Sequence, residues 1–230
     1  MPKKIRRASP RPYHHGDLRR ALIDTALELV TEEQDWTFSL REVARRAGVS
    51  PHAPYNHFSD KQELLGAVAV VGFERLRVGL LRAVAGNDAP EGLLALIGRT
   101  YVRLGLENPA LYRLMFSSAL ADVGPGDRPT IVRSTGAQAR AVLEEVIRRG
   151  ARSGAFAVSP DSPQDQILAA LSFWSGVHGL TMLVIDNISG TDLPVDDRIE
   201  RLLRTLVEGL GQARAQQSRQ PSQATARDHV

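Results

Sequence analysis

The chain has 230 residues, with 29 Lys and Arg against 26 Asp and Glu, a formal net charge of +3, and no cysteine. That length suits one medium domain or two small ones whose cores need no covalent staples, and the missing thiols exclude disulfides and thiolate metal sites. The charge is uneven: positions 1–20 carry Lys3, Lys4, Arg6, Arg7, Arg11, Arg19 and Arg20 against Asp17 alone, the balance expected of a segment that meets phosphate.

Residues 1–12, with Pro2, Pro10 and Pro12 among the cations, read as a mobile basic arm. No apolar core segment follows the charged start, so it does not read as a secretory signal, and a cytoplasmic location is expected. Asp17 is the expected N-cap of a first helix that repeats apolar residues at Leu18, Leu22, Ala26, Leu29 and Val30 and ends near Glu33.

The stretch at 38–58, FSLREVARRAGVSPHAPYNHF, organises the rest. Ser39 and Glu42 have the spacing of a capping box, with Phe38 and Val43 at the staple positions around it. The helix predicted over 40–47 places Leu40, Val43, Ala44 and Ala47 on one face, and Gly48 stands where a left-handed C-cap is required. Ser50 then serves as a second N-cap and Pro51 as a first helical residue. This second helix is predicted to be about two turns long, because Ser59 and Gln62 form a further capping box that opens the next helix. A helix, a glycine turn and a second short helix make a helix-turn-helix. The second helix is too polar and too short to serve mainly as core.

Downstream, a long helix is predicted through Leu64, Leu65, Val68, Val71, Phe73 and Leu76 to about Ala85, broken by 86–90. Helices are predicted over 91–107, 109–120, 130–150, 164–187 and 195–217, punctuated by Asn108-Pro109, Gly124-Pro125-Gly126, Ser159-Pro160 and Leu193-Pro194. The apolar run at 167–185 is interrupted by Ser172, Ser175, Gly176, His178, Gly179 and Thr181, so it reads as a buried or interface helix and not a membrane span. Gly176 and Gly179 each cost about 1 kcal/mol relative to Ala within a helix, and close approach to a partner subunit would offset this. The fold class is all-α: an N-terminal three-helix head with the helix-turn-helix, and a C-terminal helical bundle. The expected divisions are the arm at 1–12, the head at 13–77, the body at 78–213 and a polar, disordered tail at 214–230.

The second helix of the motif offers side chains whose chemistry suits duplex DNA. His52 and Asn56 can reach base edges, and an Asn can pair bidentately with adenine. Ser50, Tyr55 and Lys61 suit phosphate oxygens, while Arg41, on the solvent face of the preceding helix, can reach the backbone; Pro51, Ala53 and His57 complete the surface. The arm cations could enter an adjacent minor groove. His14, His15 and His57 lack cysteine or carboxylate partners at ligand spacing, so no metal is expected. No catalytic constellation assembles from spacing and no cofactor is implied. His178 and Trp174 share a helix face at i, i+4, with His178 readable as a pocket-lining group or as a satisfied histidine at a buried crossing.

The motif, together with Ser59-Asp60-Lys61-Gln62-Glu63-Leu64-Leu65, resembles the TetR family of bacterial transcriptional regulators. Tyr55, His57, Phe58 and Lys61 match the family's pattern, whereas His52, Ala53 and Pro54 replace its usual Gly, Thr and Leu. The body resembles a subgroup marked by a Trp…His-Gly signature, here Phe173-Trp174-Ser175-Gly176-Val177-His178-Gly179-Leu180, and by 108–116, NPALYRLMF. The resemblance, over roughly 13–210, implies a homodimer formed by the helices at 164–187 and 195–217. It also implies a palindromic operator and a small-molecule effector inside the body. Candidate pocket residues are Phe73, Tyr101, Leu104, Tyr112, Met115, Phe116, Phe173, Trp174 and His178, and few charges fall on the inner faces, so an apolar ligand is expected. The expected activity is that of a repressor released when ligand shifts the population of body conformations. Two alternatives stand beside it: a structural DNA binder without effector, and a helical small-molecule enzyme whose head has lost DNA binding.

Overall fold

The computed structural model describes residues 15–86, 89–120, 130–188 and 190–217; the basic arm at 1–12, the Gly-Pro-Gly connection at 124–126 and positions 218–230 of the tail lie outside these. The regular secondary structure of the described residues is all helical, with no strand among them. The helices are α1 (His15–Glu33), α2 (Leu40–Arg46), α3 (Lys61–Ala83), α4 (Pro90–Glu107), α5 (Pro109–Phe116), α6 (Thr130–Ser153), α7 (Pro163–Ile185) and α8 (Val195–Gln217), with 3-10 helices at Ala53–Asn56 and Ser118–Leu120. Contacts divide the chain into two units, Met1–Val68 and Ala69–Val230. The division falls within α3, upstream of the boundary expected at 77. Since α8 runs to Gln217, residues 214–217 are helical and do not belong to a disordered tail.

In the first unit, α1 starts at His15, ahead of the Asp17 expected as its cap, and Gln34 follows its end with φ 57°. Leu22, Ala26, Leu29 and Val30 from α1, Phe38, Leu40, Val43 and Ala44 around α2, and Phe58, Leu64 and Leu65 beyond it are all buried. The α2 cap forms by half: the Glu42 N–H donates to Ser39 Oγ at 3.2 Å, but the Glu42 carboxylate pairs with Arg45 and not with the Ser39 N–H. At the other end Gly48 has φ 72°. The Val49 N–H donates to Ala44 O at 3.0 Å and the Gly48 N–H to Arg45 O at 3.2 Å, the paired bonds of a Schellman turn.

Two local expectations change here. The second helix of the motif is not two turns of α-helix but one 3-10 helix, with Tyr55 N–H donating to His52 O at 3.1 Å and His57 N–H to Pro54 O at 2.9 Å. Pro54 explains this, since its ring nitrogen has no hydrogen to give and it clashes with the preceding turn of an α-helix. The cap of α3 is Asp60 and not Ser59: the Glu63 N–H donates to Asp60 Oδ1 at 2.8 Å, and Glu63 Oε2 takes the Ser59 N–H at 2.7 Å. The cap lies one residue later than expected, and the Glu63 carboxylate, in the place expected for Gln62, reaches back to the N–H of Ser59, the residue before the cap.

In the second unit α4 is the central helix, packed against α5, α6, α7 and α8. It buries Leu93, Leu94, Ile97, Tyr101 and Val102, a broad face at helical spacing. At Gly98 a Cβ would collide with Leu203 of α8, so only glycine lets those helices approach so closely. Arg99 clamps Glu200 of α8 through two bonds of 2.7 and 2.8 Å. α5 ends at Phe116, short of the expected 120, because Ser117 turns to extended backbone with ψ 147°.

By length and composition α7 could cross a membrane. One face of it packs on α4, α6 and α8 and buries Ala169, Ala170, Phe173, Val177 and Thr181. A Cβ on Gly176 would meet Leu206 of the same chain at 2.8 Å, whereas one on Gly179 would meet nothing within 4 Å. Gly176 therefore lets α7 lie close against α8 of the same chain. The outward face of α7 leaves Ile167, Leu168, Leu171 and Leu183 exposed.

Candidate nucleic-acid interface and internal cavity

The motif residues of the first unit are largely presented to solvent. Arg41, Ser50, Pro51, His52, Tyr55 and Asn56 are exposed, and Ala53, His57 and Lys61 are half-buried. Pro54 is buried, so the 3-10 helix is anchored by its proline while its polar residues face outward. Arg41, Pro51, His52 and Tyr55 line one surface recess. Tyr55 is 49% exposed, so about half of its surface is presented to solvent. The His52 and Tyr55 rings lie 6.4 Å apart, tilted by 50°.

The cations nearby divide by partner. Arg45 pairs with Glu42, which lowers the carboxyl's proton affinity and raises that of the guanidinium. Arg46 pairs with Glu32 of α1. Arg41 makes no ion pair among the described residues and is the cation of α2 free to meet a phosphate. Lys61 Nζ sits 5.4 Å over the Phe38 ring, and burial lowers its proton affinity. This cation–π contact aims the ammonium. Arg19 similarly lies 5.1 Å over Phe58. The arm cations Lys3, Lys4, Arg6 and Arg7 lie outside the described residues.

The second unit contains a cavity of about 490 Å³. Its walls are Phe73, Leu76 and Leu80 from α3, Ile97 and Tyr101 from α4, and Phe116 from α5. Phe173, Trp174 and Val177 come from α7, and Val132, Arg133, Gly136, Ala137, Ala139, Arg140 and Leu143 from α6. Of the residues expected there, Phe73, Tyr101, Phe116, Phe173 and Trp174 line it. Leu104, Tyr112, Met115 and His178 do not: Tyr112 and Met115 are core, Leu104 is half-buried, and His178 is turned into a hydrogen-bond cluster. The α6 residues are not among those expected from the sequence, since they are neither aromatic nor Met. The signal was available in the amphipathic spacing of Val132, Gly136, Ala139 and Leu143.

Behind one wall lies that cluster. The Trp174 Nε1–H donates to Tyr101 Oη at 3.0 Å, the Tyr101 and Tyr112 hydroxyls are 3.0 Å apart, and both reach His178 Nδ1, at 3.0 and 2.6 Å. Burial pushes the Tyr101 phenol up to about 12 and the Tyr112 phenol further still. Burial also lowers the proton affinity of His178, so the ring is held neutral. Nδ1 of His178 is thus hydrogen-bonded within the cluster. Among the described residues no group of His, Asp and Glu could hold a metal ion.

Two family models match the chain: "Bacterial regulatory proteins, tetR family" over residues 22–68, and "Tetracyclin repressor-like, C-terminal domain" over 94–206. An uncharacterized HTH-type transcriptional regulator of Haemophilus influenzae is 51% identical over 110 residues, 47% of this chain and 53% of that protein, so the match spans about half of that relative. A structure of a protein with unknown function from Rhodococcus sp. RHA1 is 32% identical, with a TM-score of 0.74 over 88% of this chain and all of the other. A bacterial regulatory protein in the tetR family from Rhodococcus RHA1 shares the fold, with 22% identity and a TM-score of 0.63 over 84% of this chain and 96% of its own. The chain belongs to the TetR family of DNA-binding transcriptional regulators.

Proposed function

We propose that the protein is a homodimeric, sequence-specific repressor that reads a palindromic operator and leaves it when a small, mainly apolar molecule occupies the cavity. The observation that carries the DNA half is the 3-10 helix held by buried Pro54, with His52, Tyr55 and Asn56 turned to solvent beside Arg41. His52 and Asn56 supply base contacts, while Arg41, Ser50, Tyr55 and Lys61 set register on phosphates. Pro51, Ala53 and His57 shape the backbone and flank that surface.

Dimerisation through α7 and α8 is supported by Leu168, Leu171 and Leu183 standing exposed along α7, with Gly179 open between them. A two-fold dimer presents two reading segments to half-sites about one helical turn or a multiple apart. Ligand in the cavity favours a body conformation in which the pair no longer fits that spacing, so operator affinity falls by the ratio of ligand affinities for the two states.

The test is selection of bound DNA from a random pool, followed by footprinting on the selected site. A two-fold site bound far more tightly than random duplex supports the reading. Binding without sequence preference favours a structural DNA binder instead.

A further inference from the structure

The make-up of the cavity wall points to a class of ligand, an inference that rests on the cavity being the effector site. Among the described residues four lining side chains can hydrogen-bond, Tyr101, Arg133, Arg140 and Trp174, and none is a carboxylate. Each of the four is already engaged. The Trp174 N–H is given to Tyr101 Oη, and that oxygen lies 3.0 Å from both Tyr112 Oη and His178 Nδ1. Arg140 pairs with Glu144 at 2.9 Å, so an anion at Arg140 would have to displace a carboxylate tethered one helical turn away. Arg133 is engaged as well. The wall therefore holds no free partner for an ion, and an ionised group brought into it would give up its water without a counter-charge in return.

What the wall offers in quantity is aromatic surface. Phe73, Tyr101, Phe116, Phe173 and Trp174 reach it from four helices, α3, α4, α5 and α7. The Phe73 and Phe116 rings meet edge to face, with centroids 5.5 Å apart and planes at 82°, and Phe116 and Trp174 are tilted by 44° at 6.2 Å. α6 adds Gly136, Ala137 and Ala139, which leave room by being small. At Gly136 a Cβ would stand 3.4 Å from the Phe73 ring, so that ring borders the α6 backbone itself. Rings at several angles beside a smooth floor suit a flat guest, whose faces and edges both find the offset or edge-on contacts that aromatic pairs prefer. The volume of about 490 Å³ equals that of about sixteen waters, more than a single ring needs.

We propose that the effector is an uncharged, planar aromatic compound of two or three fused rings, held by face and edge contacts with Phe73, Phe116 and Trp174. A carboxylate or an ammonium group on the same rings meets no free partner at the wall. A saturated ring system of equal carbon count gains the transfer from water but loses the ring contacts.

The experiment measures binding to the full-length protein by calorimetry. The probes are benzyl alcohol, 2-naphthalenemethanol and 9-anthracenemethanol, then 2-naphthoate, 2-naphthylmethylammonium and decahydro-2-naphthalenemethanol. Going from one ring to two should tighten the alcohols by about tenfold or more, the transfer value of the added apolar surface. 2-Naphthalenemethanol should bind about tenfold or more tightly than either ion, because a buried charge without a partner is costly. It should bind about threefold more tightly than its saturated counterpart, the margin of aromatic pairing, and Phe116→Leu should shrink that margin while leaving the alcohol ahead of the ions. Equal or tighter binding of either ion overturns the uncharged assignment, and equal or tighter binding of the saturated compound overturns the aromatic one; both results leave the effector site standing. Absence of binding throughout the series overturns the class as a whole. Ala137→Phe, at an exposed position, and Ala139→Phe, at a buried one, each put a ring into the cavity from α6, and should abolish binding of the whole series. Circular dichroism identifies the variant whose helices persist, and unaltered binding there would move the ligand out of this cavity and remove the effector reading with it.

Discussion

Tyr112 Oη stands 2.6 Å from His178 Nδ1, and the same hydroxyl lies 3.0 Å from Tyr101 Oη. This arrangement suits a neutral imidazole, whose Nδ1 lone pair accepts a phenolic proton. Burial lowers the proton affinity of His178 below the ordinary value of 6.5 that applies in the unfolded chain. The unfolded chain therefore takes up the proton first as the solution is acidified, and protonation favours unfolding. The stability held by neutral His178 is complete above 6.5 and is lost as pH falls through 6.5 towards the lower folded value. Denaturant unfolding followed between about pH 8 and pH 5 should show a steeper acid loss for the native protein than for His178→Asn. Parallel slopes would exclude His178 as the source.

Tyr112→Phe tests the same cluster without a change of charge. The ring is buried and stays so, but His178 Nδ1 keeps only the Tyr101 hydroxyl at 3.0 Å. The expected loss is about 1 kcal/mol of body stability, the net worth of one buried hydrogen bond, read as a lower denaturant midpoint at unchanged m-value. A change in m instead would mean that the body's packing had altered.

Gly48 occupies the left-handed region at φ 72°, and a Cβ there would meet nothing within 4 Å. The cost of Gly48→Ala is therefore backbone conformation alone, about 1–2 kcal/mol. Gly48→Asn should cost less, since Asn tolerates that region. Hydrogen exchange at the amides of α2 reads both. Equal protection in the Ala and Asn variants would mean that the turn has been rebuilt.

On DNA, Lys61→Ala and Asn56→Ala should fail in different ways. The Lys61 ammonium, aimed by the Phe38 ring, is assigned to phosphate, so its loss should weaken all sequences alike and reduce the salt slope by about one. Asn56→Ala should relax one base position by about 1–3 kcal/mol of discrimination. Titrations at several salt concentrations and a repeat of the selection distinguish the two. An unchanged salt slope counts against Lys61, and an unchanged preferred site counts against Asn56.

Substitution at the outward face of α7 separates subunit contact from core packing. Leu168→Glu places a charge on a position already 59% exposed in the single chain. It should leave the subunit's unfolding nearly unchanged while splitting the dimer, as sedimentation velocity would show, and operator affinity should fall with it. Gly176→Leu strikes Leu206 of the same chain, and should cost about 1–3 kcal/mol of stability in the subunit itself. If Leu168→Glu remains dimeric, the interface lies elsewhere.

The helices were legible because their ends are written in short-range chemistry. Ser39, Gly48, Asn108-Pro109 and Leu193-Pro194 act through bonds and φ values set within a few residues. Where adjacent residues compete, sequence does not decide: Ser59 and Asp60 are both good caps, and only the positions of Glu63 and its N–H select Asp60. The α-helix expected at the reading segment is replaced by a 3-10 helix because Pro54 changes the hydrogen-bond ladder of so short a piece. The cavity was half legible. Phe73, Phe116 and Trp174 announce themselves by size, but Gly136 and Ala137 matter by being small. Nothing in the spacing of Tyr112 and His178 distinguishes facing a void from facing each other, since that depends on how α5 and α7 rotate against α4.

The tight winding of the reading segment has a consequence for evolution of the target site. In a 3-10 helix residues three apart eclipse one another, so His52 and Tyr55 form a single narrow ridge while Asn56 stands off it. Under the proposed dimeric reading, a narrow ridge would span fewer base pairs than side chains fanned around an α-helix, so each half-site would hold less information and the distance between half-sites more. Drift to a new operator would then proceed more readily by altering the spacing between the two subunits than by rewriting the letters that each one reads.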